Sequence, residues 1–268
     1  MDRFSHELLA FGAAFVAGAI NSVAGGGSFI SFPTLIWLGL PSIVANATNT
    51  VSIWPGSLGS AWGYRRELTA LEPRLLVLVA PSLIGGIGGA LLLRLTPAPL
   101  FDRLVPFLIL GATCLFMAQE SVQRWVIRPV GTSGFARGSE GSSNPAGASA
   151  KWLAGAACFQ LLVGLYGGYF GAGAGILMLA AFGILGLRDI HQMNGLKNIL
   201  AVSMNGVAGL YFVWQRMVSW PEALVMAAGA VAGGVGGAGF ARRIGQRTVR
   251  HLVVGIGIGM ALLLLFRR

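Results

Sequence analysis

Apolar residues run along this chain in long blocks that are separated by short polar stretches. The blocks cover approximately residues 7–38, 42–64, 74–95, 104–119, 152–187, 195–214, 222–241 and 251–266. Most of them have the ~20 residues that an α-helix needs to cross the ~30 Å hydrocarbon core of a bilayer. The pattern therefore predicts an all-α polytopic membrane protein.

The first and fifth blocks are too long for one straight span. A helix of about 32 residues would measure about 48 Å at 1.5 Å per residue. Each of these blocks also contains a cluster of glycines partway along, at Gly25–Gly27 in the first and Gly171–Gly175 in the fifth. We interpret each block as a helix, a glycine-rich break and a shorter helical limb.

Composition agrees with a membrane location. Hydrophobic residues make up 55% of the chain and charged residues only 10%, whereas soluble domains carry about 25% charged residues. The net charge of +10 comes largely from arginines between the blocks, such as Arg65, Arg66, Arg242 and Arg243, where lipid head groups would meet them. We therefore expect the lipid bilayer, and not nucleic acid, as the partner of these charges, in a multi-pass protein of the bacterial inner membrane.

The chain contains an internal repeat. A shift of 148 residues pairs Gly27 with Gly175 and Asn46 with Asn194, and it continues to pair glycines over about ninety residues, which chance rarely produces. A slip of one residue would place Lys197 opposite Thr50 instead of Asn49. The repeat predicts two homologous halves, each a glycine-broken first element followed by three helices.

The repeat also predicts the domain organisation. Residues 1–119 form the first transmembrane repeat and residues 151–268 the second, with a flexible polar Gly/Ser-rich linker at 120–150. Inverted halves follow if each broken element returns to its own side of the membrane, and parallel halves follow if it crosses. The distribution of basic residues slightly favours inverted repeats.

The two broken elements are the first candidates for ligand contact. Unwound backbone at membrane depth is tolerated only where it is buried in protein or lines a cavity, and a helix that restarts there offers free N–H groups to an anion. The candidate substrate-binding residues of these elements are Asn21, Gly25, Gly26, Gly27, Ser28, Gly171, Gly173 and Gly175. Glycines can instead serve close helix packing, which we favour for Gly85–Gly89 and Gly233–Gly237.

A second set of candidates lies on the helix after each break. These polar residues are Asn46, Thr48 and Asn49 in the first half, and Asn194, Lys197 and Asn198 in the second. The last three share one helical face. Buried amides could instead join one helix to another.

Lys197 is the basic residue that the pattern places within a span and not near its end. A central charge costs on the order of 3 kcal/mol on insertion scales, so it indicates function. Lys197 could attract an anion and exchange a proton. The alternative is a lysine that extends its ammonium to the interface, because Arg188 and His191 are close in sequence.

Other kinds of site find little support. The acidic residues lie at or near the ends of the apolar blocks, so a carboxylate relay or a cation site in mid-membrane has no candidates. The three histidines are scattered, no HExxH or GxSxG occurs, and the glycine runs lack the Lys-Ser/Thr of a P-loop. We expect no enzyme activity, no cofactor and no metal site.

Several short motifs carry a family resemblance. They are the segments 21–28, 38–41, 47–49, 55–57, 167–175 and 196–198. Together they resemble the TauE/SafE family of membrane proteins, which are associated with export of sulfite and related organosulfonates. The resemblance implies a small sulfur oxyanion or sulfonate as substrate. Members often carry a lysine after the first-half Thr-Asn, where this chain has Thr50, so a two-lysine anion site is not expected here.

These observations predict a secondary transporter that exports a small anion, with sulfite or a related organosulfur anion favoured. Alternating access would take place around a central site formed by the two broken helices and Lys197. A coupling proton and a homo-oligomer are both compatible with the sequence. The alternatives are an uncoupled anion channel or facilitator, and a membrane scaffold without transport.

Overall fold

The computed structural model describes residues 3–23, 26–63, 65, 73–127, 150–184, 187, 190–244 and 246–266. All regular elements within these ranges are helices, as the sequence predicted. They are α1 (Arg3–Val23), α2 (Ser28–Trp37), α3 (Ser42–Gly63), a 3₁₀ helix (Pro73–Leu78) leading into α4 (Val79–Leu95), α5 (Ala98–Ile127), α6 (Ala150–Tyr169), α7 (Ala174–Ile184), α8 (Ile190–Trp214), α9 (Trp220–Ile244) and α10 (Gln246–Phe266).

The protein is a multi-pass integral membrane protein. In the described part of the chain, four segments are long and apolar enough to cross a bilayer, at Phe4–Asn21, Pro73–Leu95, Ala98–Ala118 and Gln192–Trp214. The outer surface of the bundle is apolar, with large exposed side chains such as Ile84, Phe107 and Leu224. Such a surface is stable in contact with lipid and not with water.

Each half begins with a broken helical element, as predicted. The first break separates α1 from α2, and the second separates α6 from α7. Gly171 and Gly173 in the second break have φ angles of +80° and +81°, which side chains with a Cβ rarely adopt. Gly25 of the first break lies outside the described residues. The glycine clusters therefore mark where the helices end.

Three helices follow each broken element. In the first half, α5 continues to Ile127, so the beginning of the segment that we assigned to the linker is helical. Residues 128–149 of that segment lie outside the described part, and the division of the chain into two repeats stays a prediction.

The second helix after each broken element, α4 in the first half and α9 in the second, packs against the other half. The most extensive helix contacts are those of α1 with α9 and of α4 with α6. Glycines make this approach feasible: a Cβ on Gly233 would lie 1.9 Å from the Phe15 carbonyl oxygen, and one on Gly89 would lie 2.1 Å from that of Leu165. The packing role that we assigned is confirmed for Gly85, Gly86, Gly89, Gly233 and Gly234. The most extensive helix packing in the protein is therefore between the two halves and not within either one.

Helices α3 and α8 cross at the centre of the bundle. A Cβ on Gly206 would lie 2.8 Å from the Trp54 indole, and one on Gly209 would lie 3.4 Å from Val51. Residue numbers thus rise along α8 as they fall along α3, so the two helices run antiparallel. Helix α3 also contacts α1, α2, α5 and α9, which buries its many polar side chains inside the protein.

Candidate functional site

A cavity of about 60 Å³ lies among the two central helices and both broken elements. On α3 its lining residues follow a helical spacing: Asn49, Thr50, Ile53, Ser57 and Ser60. On α8 they are Lys197, Asn198, Ala201, Met204 and Asn205. The broken elements contribute Asn21 and Ser28 from the first half, and Phe170, Gly171, Ala174 and Gly175 from the second. Residues from both halves of the chain therefore line one cavity.

The cavity lining follows the internal repeat. Adding 148 to Asn49, Thr50, Ile53 and Ser57 gives Lys197, Asn198, Ala201 and Asn205, and all eight residues line the cavity. A slip of one residue would instead pair Asn49 with Leu196, which is buried elsewhere in an apolar cluster. The geometry thus supports the offset without a slip, in which Lys197 corresponds to Asn49.

Lys197 is buried, with 2% of its surface exposed. Its Nζ donates a hydrogen bond to Asn194 Oδ1 at 2.9 Å, one turn earlier on α8. None of the cavity-lining residues is acidic, so the described part of the chain offers this ammonium no carboxylate across the cavity. An uncompensated buried charge costs several kcal/mol, and a bound anion would lower that cost.

The second break is held in place by side chains. Asn46 Nδ2 on α3 donates to the Tyr169 carbonyl oxygen at 2.9 Å, and the Tyr166 hydroxyl donates to the Ala172 carbonyl oxygen at 2.6 Å. The Tyr169 carbonyl is one that the end of α6 leaves without a helical partner, and the Ala172 carbonyl lies in the break itself, between α6 and α7. These bonds fix the conformation of the segment that carries Gly171 and Gly173.

The first break has a corresponding support. Gly27 N donates to Asn21 Oδ1 at 3.0 Å, so Asn21 binds the break from the preceding helix while it also lines the cavity. Gly26 and Gly27 are buried, and an added Cβ would lie 2.6 Å from Phe116 or 2.2 Å from the Ala17 carbonyl oxygen. These two glycines therefore allow close packing and do not line the cavity.

The structure separates the predicted site residues into two groups. Seven line the cavity: Asn21, Ser28, Asn49, Gly171, Gly175, Lys197 and Asn198. The others have different surroundings. Asn46 donates to the second break, and Asn194 accepts a hydrogen bond from Lys197. Gly173 adopts the left-handed backbone conformation. Thr48 Oγ1 accepts a hydrogen bond from Ser219 N at 3.0 Å.

Sequence reasoning missed several lining residues on α3 and α8, above all Ser57, Ser60 and Met204. Ser57 and Ser60 follow Asn49 and Ile53 at helical spacing, so the helical periodicity from Asn49 was the available signal. Each serine hydroxyl donates to the carbonyl four residues earlier, at 3.3 Å and 3.1 Å. Such bonds are common for serine in buried helices. A serine in an apolar span therefore does not by itself indicate a binding site.

Two amides beside the cavity have unused hydrogen-bonding capacity. Asn49 Oδ1 and Asn198 Nδ2 are buried and have no hydrogen-bond partner. A buried polar atom without a partner costs about 1–3 kcal/mol, and such atoms are few in native proteins. Lys197, Asn49 and Asn198 all line the cavity, so a rotation of either amide about its soft terminal torsion would turn an unpaired donor or an unpaired acceptor toward it.

Comparisons with known proteins match the chain over nearly its whole length. Residues 10–264 match the family model described as sulfite exporter TauE/SafE. A "probable membrane transporter protein ORF9" from a Sinorhizobium species is 26% identical over 275 residues, covering 99% of this chain and 95% of that protein. The probable membrane transporter protein YfcA of Escherichia coli K12 is 26% identical over 257 residues, covering 96% and 88%. No solved structure matches significantly.

Proposed function

This chain belongs to the TauE/SafE sulfite exporter family, and on that premise we propose that it is a secondary transporter that exports a small anion, with sulfite or a related organosulfur anion as substrate. The observation that carries the proposal is the buried ammonium of Lys197 in a cavity without acidic lining residues. An anion in that cavity would replace the carboxylate that a buried lysine otherwise needs.

The size of the cavity agrees with a small substrate. A buried water occupies about 10–15 Å³ on this scale, so a cavity of about 60 Å³ has room for a group of about four to six non-hydrogen atoms. Sulfite, with four, and methanesulfonate, with five, fall in that range. A large organic anion would need the bundle to open.

The position of the cavity supports alternating access. It lies between helices of both halves, and eight of its lining residues form four pairs under the repeat. The antiparallel crossing of α3 and α8, which occupy equivalent places in the two halves, supports the inverted arrangement of repeats. Transporters of that kind expose a central site to one side and then to the other when one repeat moves against its partner.

The test is anion flux into proteoliposomes that contain the purified protein. We expect uptake of sulfite that exceeds uptake of sulfate and chloride and that responds to a pH gradient. Replacing Lys197 with Met keeps the length and apolar stem of the side chain but removes the charge. Because a hydrogen bond to a charged group contributes about 1.5–3 kcal/mol, sulfite flux should fall at least about tenfold.

The chain offers a matched control for the loss of a lysine. Lys151→Met removes the same charge in the first turn of α6, away from the residues that line the cavity, and should leave flux unchanged. Sulfite flux that does not depend on the pH gradient would indicate an anion facilitator. Equal sulfite flux in wild type and Lys197→Met would refute the proposed site.

A further inference from the structure

The cavity presents two chemically different sets of hydrogen-bonding groups. The first set consists of donors. The Lys197 ammonium has three N–H groups, of which one is used by Asn194, and Asn198 Nδ2 has no partner. The two residues are adjacent on α8 and both line the cavity. After a rotation of the Asn198 amide about its soft terminal torsion, the two side chains can together bind the oxygens of an anionic group.

The second set is an acceptor on the facing helix. Asn49 occupies the position on α3 that corresponds to Lys197 on α8, lines the cavity and is only 2% exposed. Its Oδ1 has no hydrogen-bond partner. The terminal torsion of Asn is soft, so a modest rotation of the amide would bring this oxygen to a ligand. A deprotonated anionic oxygen cannot satisfy an acceptor, because neither atom carries a hydrogen to donate.

We propose that the transported species is an anion that also carries an O–H or N–H group. The anionic group binds to Lys197 and Asn198, and the O–H or N–H donates to Asn49 Oδ1. Hydrogensulfite and small hydroxy- or amino-substituted sulfonates fit this description, whereas fully deprotonated or purely alkyl anions leave the Asn49 acceptor unpaired. This inference rests on the proposed transport function.

The inference also explains how protons can accompany the anion. None of the cavity-lining residues is acidic, so the described part of the cavity has no carboxylate to relay a proton. An anion such as hydrogensulfite carries the proton itself, on the O–H that Asn49 recognises. The coupled proton is then part of the cargo and needs no separate binding site.

A pair of anions of equal charge and shape tests this idea. Hydroxymethanesulfonate and ethanesulfonate have the same number of non-hydrogen atoms and differ only in a hydroxyl group in place of a methyl group. Each is added as a competitor of sulfite uptake in proteoliposomes at mildly acidic pH. Because an unpaired buried acceptor is costly, wild-type protein should be inhibited by hydroxymethanesulfonate at a concentration about tenfold lower than by ethanesulfonate.

Variants assign the preference to a residue. Asn49→Leu should bring the two inhibitory concentrations together, because the acceptor is gone, while ethanesulfonate still inhibits. Lys197→Met should weaken both inhibitors alike. If Asn49→Leu does not fold, the comparison in wild-type protein still decides whether an anion that carries an O–H group is preferred.

The outcomes separate this inference from the proposed function. Equal inhibition by the two sulfonates in wild-type protein that transports sulfite would overturn the inference and leave the transport function standing. Unchanged discrimination in folded Asn49→Leu would overturn the role of Asn49. No sulfite uptake by folded wild-type protein would refute both the transport function and the inference built on it.

Discussion

The indole Nε1 of Trp54 donates a hydrogen bond to the Val202 carbonyl oxygen at 2.9 Å, and these two residues are 148 residues apart, which is the offset of the internal repeat. A residue that contacts its own equivalent must lie close to the axis that relates two similar units. The antiparallel crossing of α3 and α8 fits an axis perpendicular to both helices. The crossing therefore lies near the axis that would relate the two predicted repeats, beside the cavity.

The crossing depends on a glycine at position 206. A Cβ on Gly206 would lie 2.8 Å from Trp54 Nε1, so Gly206→Ala should lower the stability by about 1–3 kcal/mol. The midpoint of thermal unfolding in detergent should then fall by several degrees. Gly12→Ala on α1 is the control, because an added Cβ meets nothing within 4 Å there.

A double variant shows whether contact with Trp54 causes the loss of stability in Gly206→Ala. In a Trp54→Ala background the space for the Cβ is open, so adding Gly206→Ala should cost much less than it does in wild type. An equal cost in both backgrounds would show that Gly206 is needed for another reason.

The second break requires a left-handed backbone at Gly173. Its φ angle is +81°, but an added Cβ would make only ordinary contacts with Ala112, at 3.7 Å or more. Gly173→Ala therefore isolates the conformational cost, which should be about 1–2 kcal/mol. Gly173→Asn should cost less, because Asn tolerates this conformation better. Thermal unfolding of both variants measures the difference.

Gly155→Ala provides the comparison within the same broken element. Gly155 lies within α6 and an added Cβ meets nothing within 4 Å, so this change should be neutral or slightly stabilising. Equal unfolding midpoints for Gly155→Ala and Gly173→Ala would argue against a strained break.

The helices and the two breaks could be predicted from the sequence because local sequence features determine them. Blocks of apolar residues predicted the helices, and glycine clusters predicted the two breaks, since glycine both ends helices and accepts positive φ angles. Buried Lys197, Asn49 and Asn198 were also predictable, because polar residues stand out within apolar spans.

The residues that line the cavity could not all be predicted from the sequence, because the lining depends on contacts between segments that are distant in the chain. Thr48 and Asn49 are neighbours in sequence, yet Asn49 lines the cavity and Thr48 receives the N–H of Ser219 just before α9. That division is decided by α9, which packs against α3 from the other half. Periodicity within one segment cannot give the position of a helix more than 150 residues away.

Asn46 and Asn21 should each stabilise one break and not the other. Asn46→Leu removes the donor to the Tyr169 carbonyl, and Asn21→Leu removes the acceptor for Gly27 N. Hydrogen–deuterium exchange should therefore rise about fivefold at the α6–α7 junction in the first variant and at the α1–α2 junction in the second, since losing one hydrogen bond lowers the free energy of local opening by about 1 kcal/mol. Each variant is the control for its counterpart. Equal increases at both junctions would indicate general destabilisation.

Exchanging two equivalent residues tests whether the two halves build one site. In the double variant Asn49→Lys/Lys197→Asn, the charge moves to the corresponding position on α3 while the composition of the cavity is unchanged. The single variant Lys197→Asn should lose at least about tenfold in sulfite affinity, since it loses a charged hydrogen bond. The double variant should regain a measurable part of that loss, because the relocated ammonium still lines the cavity. Binding is measured from the rise of the unfolding temperature with sulfite concentration, since a ligand that binds only the folded state stabilises it. A double variant that folds and binds no better than Lys197→Asn would show that the site depends on α8 alone.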